Sequence, residues 1–219
     1  MGTCLGVLMF GDGSLTFREF AMRERVTLAE IHDAVLEFLR GRGDAAVFGA
    51  QAVNAYVDQP RMTQDVDILS TRAAMLADEL KTYLHDRFRL AIRVRSVAGG
   101  LGYRLYQVRK PKNRHLVDVR SVSELPACQS FHEILVLAPA ELIGQKVLSM
   151  IGRSKTPKGL MDTADLHRLL LTFPELKSDE GPARSPERSA IWRHHHKHST
   201  LGGNWLPKIS CPKTTTHSE

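Results

Sequence analysis

Cysteine is scarce in this chain. The three present, Cys4, Cys128 and Cys211, are odd in number, and no two stand at metal-ligand spacing. This argues against a disulfide scaffold or a cysteine-based zinc site and fits a reduced, cytoplasmic setting. Long apolar runs are missing too. None reaches the length of a membrane span, and the short run from Leu5 to Phe10 has no basic residue before it, which makes a poor signal peptide. No internal repeat is visible. Acid is sparse in one region: between Arg87 and Arg120 stand ten basic residues and a single acid, Asp118. Two readings suit that span equally, a solvated sheet face with its loops, or a footprint for polyphosphate or nucleic acid.

What is present suits a packed domain. Hydrophobic residues make up 42% of the 219, the formal charge is +6, and the length fits one domain with small appendages. Residues 1–21 carry four glycines and no periodicity, so they read as an unstructured extension, with Met22 a plausible alternative start. Residues 178–219 are rich in Ser, Pro, Thr, His and Gly without an apolar period, and read as a disordered tail. The change of texture after Lys177 is abrupt enough to admit a shifted reading frame. The His194, His195, His196, Lys197, His198 run reads as adventitious chelation.

Between these ends the pattern is regular. Thr27 and Glu30 form a capping box, with Ile31, Ala34, Val35, Phe38 and Leu39 at helical spacing and Gly41 and Gly43 as stops. Strands are expected at 45–48, 65–70, 91–97, 103–108, 116–120 and 134–137. Helices are expected at 50–57, 72–88, 139–153 and 160–173. This order predicts an α/β (α+β) domain: a small mixed sheet with helices packed on it, not a doubly wound parallel fold. Its sheet-bearing part would be 22–137, and 138–177 a helical part packed on that core.

The chemistry concentrates at Asp65-Val66-Asp67. Two carboxylates at i and i+2 in a strand share a face and offer four oxygens at a strand end, a ligand set suited to Mg²⁺. Gly49, sixteen residues upstream, stands where a strand would turn into a helix, so phosphates can approach its backbone closely. The alternative is a structural pair of aspartates that cap a helix or pair with Arg61.

These residues carry a resemblance. Phe48-Gly49-Ala50 followed by Arg61-Met62-Thr63-Gln64-Asp65-Val66-Asp67-Ile68-Leu69 resembles the DNA polymerase β-like nucleotidyltransferase superfamily. The Arg-x-Thr-x-Asp-h-Asp form is similar to the AbiEii-type toxins of type IV toxin–antitoxin systems. Leu137 to Leu142, Lys146, Arg153, and Lys158 through Asp162 and Asp165 are similar to that family's helical part. The likeness covers roughly residues 26–177.

The resemblance implies a polymerase β-like core in which Asp65 and Asp67 bridge Mg²⁺, two ions in all, to a nucleoside triphosphate (NTP). A third carboxylate is usual further along, and Asp118 is the candidate, as metal ligand or as base for the acceptor hydroxyl. A salt bridge to Arg120 or Arg114 is its structural alternative. Gly49, Ala50, Arg61 and Thr63 would meet the nucleotide. Lys146 and Arg153, seven apart on one expected helix, share a face that could grip phosphate or simply be solvated, and Asp162 and Asp165 could orient them. The implied activity is transfer of a nucleoside monophosphate (NMP) to a hydroxyl on an RNA end or a protein side chain. It would be toxin-like, with an antitoxin protein as possible partner and no membrane role. Ala50 departs from the pattern by lacking the hydroxyl that often meets phosphate there, and the spacer to Asp65 is slightly long. Two rivals remain: a catalytically weak or inactive relative that binds nucleotide or a partner, and a small-molecule nucleotidyltransferase.

Overall fold

The computed structural model describes residues 25–153 and 155–177. The expectations for 1–21, Met22 and 178–219, the histidine run included, lie outside the described residues.

Thr27 opens helix α1 (Leu28–Leu39) by the expected reciprocal box. Its Oγ1 accepts from the Glu30 N–H at 3.1 Å, and Glu30 accepts from the Thr27 N–H at 2.7 Å. Then follow β1 (Ala45–Phe48), α2 (Gly49–Asn54), β2 (Val66–Ser70), α3 (Ala73–Phe88), β3 (Ile92–Val97), β4 (Gly102–Gln107), β5 (Arg114–Ser121), β6 (Cys128–Phe131), β7 (Ile134–Leu137), α4 (Pro139–Gly152) and α5 (Pro157–Thr172). Seven strands form one mixed sheet in the order β3-β4-β5-β2-β1-β7-β6. β2 and β5 are parallel, as are β1 and β7, while the remaining neighbours are antiparallel. The expected mixed α/β architecture is what the chain adopts.

The sheet has two unlike faces. Val47, Ile68, Val66, Val117, Val119 and Leu105 are fully buried on one, where α1 and α3 pack with Ile31, Val35, Leu76, Leu80 and Leu84. Each such side chain contributes about 1.5–3 kcal/mol through burial. The other face carries Phe48, Asp67, Asp118 and Arg104 in one cross-strand row. Strand alternation alone assigns these residues to their faces. α4 packs on α5, and both lie against the short helix α2. Among the described residues no helix is long and apolar enough to cross a membrane.

Four details differ from the sequence expectation. α2 ends at Asn54, because that side chain turns to the loop beyond: its Nδ2 donates to the Arg61 carbonyl at 2.7 Å and its Oδ1 accepts from the Arg61 N–H at 3.0 Å. β6 has no alternating pattern to announce it. It forms by pairing with β7 across the two-residue turn His132-Glu133, both left-handed at φ 47° and 66°, without the Asn or Gly that usually marks such a turn. β5 begins two residues earlier than expected, at Arg114. α5 begins at Pro157, capped by Thr156, whose Oγ1 accepts from the Gly159 N–H at 3.1 Å.

Candidate active site

β2 lies near the middle of the sheet with Asp67 as its second residue, and Asp65, expected as its first, stands in the bend just before it. Parallel pairing with β5 sets Asp67 directly beside Asp118 in register. Antiparallel pairing with β1 sets Phe48 on the other flank of Asp67. Asp65, two residues before Asp67, falls on the same face. The three candidate carboxylates therefore meet at one end of one sheet face.

Gly49 explains itself at this point. It has φ +71°, and a Cβ built on it would stand 2.1 Å from Oδ2 of Asp67 and 2.8 Å from its Cγ. Only glycine tolerates both the backbone angle and the carboxylate above it. Gly49→Ala is expected to cost about 1–3 kcal/mol through strain and to displace the Asp67 carboxylate. A melting curve with a lower midpoint but full cooperativity would show the strain, and an unchanged midpoint would show that the turn absorbs a side chain without cost.

The acids do not share one electrostatic condition. Asp67 is half-buried. Burial first, then the charges of Asp65 and Asp118, push its pKa up to about 6 against the opposing pull of Arg120 and Lys158. For Asp65, burial also acts upward but is outweighed. The hydrogen bond and charge of His115, then the charges of Lys158 and His32, hold its carboxyl below the ordinary range. His115 Nδ1 is 3.0 Å from Asp65 Oδ2. Asp118 pairs with Arg104, Nε to Oδ2 at 3.5 Å, rather than with Arg120 or Arg114. Arg120 lies over the Phe48 ring, 4.9 Å from its centroid.

His115 reaches Asp65 because of a break in strand alternation. Between β4 and β5 the register passes from Leu105↔Val117 to Tyr106↔His115, so Leu116 is an extra residue, a β-bulge. Strict alternation would put His115 on the opposite face from Asp118. The bulge brings it round, its ring tilted against that of Tyr106 with centroids 5.0 Å apart. No local sequence signal announces a bulge, so His115 was not among the expected site residues. Lys158 was expected only as part of the helical motif. The early start of α5 places it in that helix's first turn, where its charge is felt by both Asp65 and Asp67.

The basic residues of the helical part behave otherwise than a pair of cations open on a helix face. Lys146 is buried, and its Nζ donates to Asp162 Oδ1 at 3.0 Å and to Asp165 Oδ2 at 2.8 Å. Arg153 stands at the C-terminal cap of α4, its Nη2 3.4 Å from Asp162 Oδ2. Asp165 also receives a two-pronged grip from Arg61, Nε and Nη2 each at 2.8 Å. Asp162 and Asp165 thus do hold the cations, and Arg61 is bound to Asp165 rather than to Asp65 or Asp67. The web fixes the loop that delivers Asp65. Thr63, inside that loop, is buried, and its Oγ1 has no hydrogen-bond partner among the described residues. Ala50 follows Gly49 in the first turn of α2 and is partly buried.

The hard oxygens of Asp65, Asp67 and Asp118 are the donors that Mg²⁺ takes, and the raised pKa of Asp67 comes from burial first and from the neighbouring acids second. Among the described residues no group of three His, Cys, Asp or Glu is placed to hold a metal ion, and His115 and Arg104 pair with two of the carboxylates. In donor chemistry the residues suit such an ion.

No protein-family profile matches the chain, and no curated protein matches it in sequence. Solved structures do match in shape. The Megavirus polyadenylate synthase aligns with TM-score 0.56 at 11% identity over 71% of this chain and 34% of that one, so this chain spans about a third of that protein's length. JHP933 from Helicobacter pylori aligns with TM-score 0.51 at 14% identity over 74% of this chain and 70% of its own. A further H. pylori structure, described as a nucleotidyltransferase, aligns with TM-score 0.52 at 13% identity over 74% and 72%. Such identities speak to architecture alone, and the architecture is that of the nucleotidyltransferase fold.

Proposed function

We propose that this chain is a Mg²⁺-dependent nucleotidyltransferase that moves an NMP from an NTP to an acceptor hydroxyl and releases pyrophosphate. The observation that supports it most is the register of the sheet. Asp67 stands beside Asp118, with Asp65 on the same face and the glycine turn pressed against Asp67.

Asp65, Asp67 and Asp118 would hold the metal. When bound, the ion supplies charge neutralisation at the phosphates and favours the acceptor alkoxide. The residues of the chain do the rest. Gly49 leaves room for phosphate beside Asp67. Lys158 and Arg120, whose charges Asp67 already feels, attract the triphosphate, and the Thr63 hydroxyl is free to donate to it. Asp118, on the flank away from Gly49, orients the acceptor hydroxyl and takes its proton as the oxygen attacks the α-phosphorus. The α–β bridging oxygen departs with pyrophosphate. Arg61, Asp165 and Lys146 keep the loop before Asp65 in place. Their part in nucleotide binding runs through that loop, and Arg153 acts through Asp162.

The Arg61-x-Thr63-x-Asp65-x-Asp67 motif supports a toxin-like role of the AbiEii kind in the cytoplasm, with an RNA end or a protein side chain as acceptor and an antitoxin protein as partner. A second reading, a nucleotide-binding relative that transfers nothing, is favoured by Ala50 and by the ion pairs that already occupy Asp65 and Asp118.

The deciding experiment offers each labelled NTP with Mg²⁺ to total RNA and total protein, with wild type, Asp67→Ala and Asp118→Asn in parallel. Label transfer by wild type and none by Asp67→Ala is expected. Asp118→Asn should lose rate by about 100-fold or more with little change in NTP affinity, because its action is concentrated in the transition state. Folded wild type that binds Mg²⁺–NTP and transfers to nothing would establish the second reading.

A further inference from the structure

The row through Asp67 and Asp118 does not stop at the carboxylates. Its next members are Arg104 on β4 and, opposite Arg104 in register, Arg95 on β3. Arg93, two residues earlier on β3, shares that face and stands opposite Tyr106. Arg93, Arg95 and Arg104 are all exposed. The helix that packs on β3 and β4 is α3, and the fully buried Leu105 places it on the opposite face. Two arginines directly across an antiparallel ladder repel each other. Arg104 is relieved by Asp118, whereas neither Arg93 nor Arg95 has an ion-pair partner among the described residues. β3 is an edge strand, and edges carry charge to block pairing with other chains. That accounts for a charge on β3 but not for one set against Arg104 in line with the carboxylates.

We propose that this uncovered β3–β4 face is the track for a single-stranded RNA acceptor, its 3′ end directed at Asp118 and its preceding phosphates on Arg104, Arg95 and Arg93. The inference rests on the transferase reading and names the acceptor and its path. Strands lie about 4.8 Å apart, so β3 is about 10 Å from β5 across the sheet, the reach of the one or two nucleotides behind a reacting end. The charge is complementary to a phosphodiester backbone and continues into the basic loop Arg109 to Arg114 beside the same hairpin. Tyr106, half-buried between Arg104 and His115, presents a ring on which an unpaired base can stack. Unpaired RNA offers splayed bases that an aromatic side chain can stack, which a base-paired duplex does not. The triphosphate has its own place on the far flank of Asp67, by Gly49 and Lys158.

The test uses the full chain and a fluorescein-labelled single-stranded oligoribonucleotide, without NTP, read by anisotropy across a salt series. Wild type should bind with a salt-dependent affinity. The double variant Arg93→Glu/Arg95→Glu should bind about tenfold or more weakly, and the log–log salt slope should fall by about two. Its melting midpoint and its Mg²⁺–NTP binding by calorimetry should match wild type. Lys81→Glu, on α3 against the other face, should leave RNA binding intact. Equal RNA binding by wild type and the double variant overturns the track. So does wild type that labels a protein while binding no oligoribonucleotide, a result that leaves the transferase reading standing. RNA bound through Arg93 and Arg95, with no transfer from any NTP, would sustain the track and overturn the transferase reading instead.

Discussion

Asp165→Ala is expected to lower the thermal midpoint by about 10 °C. The carboxylate is fully buried and joins three parts of the chain. Arg61 grips it from the loop before β2, Lys146 from α4, and it stands itself on α5. Its removal leaves Arg61 without its partner and leaves the buried Lys146 ammonium with Asp162 alone. Breaking a buried pair from one side costs about 3–5 kcal/mol, because the remaining charge stays desolvated. In a chain of this size each kcal/mol moves the midpoint by about 2–4 °C. Loss should extend to transfer, since the loop that carries Asp65 would no longer be held. Lys146→Met, which removes the cation and fills its space, should be milder than Asp165→Ala. Differential scanning calorimetry of both variants decides the matter: equal melting of wild type and Asp165→Ala would show the web to be without net worth. The acid side of the profile follows the same logic. Burial acts to raise the pKa of Asp165, but Arg61 and Lys146 outweigh it and hold it low. The stability it supplies is present above the ordinary carboxylate pKa and is lost as the pH falls through its depressed folded value.

Much of this arrangement was legible in the sequence, and the parts that were not share one cause. Apolar runs and spacing, with Gly, Pro and capping signals between them, located six of the seven strands and the five helices. The Asp-x-Asp spacing singled out Asp65 and Asp67, the resemblance together with the lone acid of the 87–120 span pointed to Asp118, and the parallel register of β2 and β5 sets Asp67 and Asp118 side by side. The sequence did not disclose what depends on long-range pairing. β6 exists only as the partner of β7. His115 is turned toward Asp65 by a bulge whose extra residue is Leu116, a leucine like any other in a strand. Lys146 lies on α4, while Arg153 stands just past its end at the cap rather than on the expected shared face, and a helical wheel cannot say that α5 lies beside them with Asp162 and Asp165 waiting there. Arg61 looked like a partner for the aspartates beside it in sequence, and its partner is an aspartate on the last helix.

Asp67→Asn is expected to make the metal-free protein more stable near neutral pH while abolishing transfer. Burial, Asp65 and Asp118 raise the pKa of Asp67 to about 6 in the folded chain, against about 3.9 unfolded. The sign follows from proton binding. Between those two values the folded state holds the proton more tightly than the unfolded state, so stability falls as the pH rises from about 4 to about 6 and stays low above that. A gap of about two pKa units corresponds to a cost of up to about 3 kcal/mol at neutral pH. An amide in the same place carries no charge to desolvate or to repel Asp65 and Asp118, so the variant should gain about 1–3 kcal/mol over wild type at pH 7 and almost nothing at pH 4. Mg²⁺ should reverse the order. Wild type gains stability from the ion by mass action, whereas Asp67→Asn, deprived of a ligand, gains much less. Chemical denaturation at pH 4, 5, 6 and 7, with and without Mg²⁺, reads all of this at once. A wild type no less stable than Asp67→Asn at pH 7 without metal would show that the three acids do not strain one another. A Mg²⁺ response of equal size in both proteins would show that Asp67 is not where the ion is held.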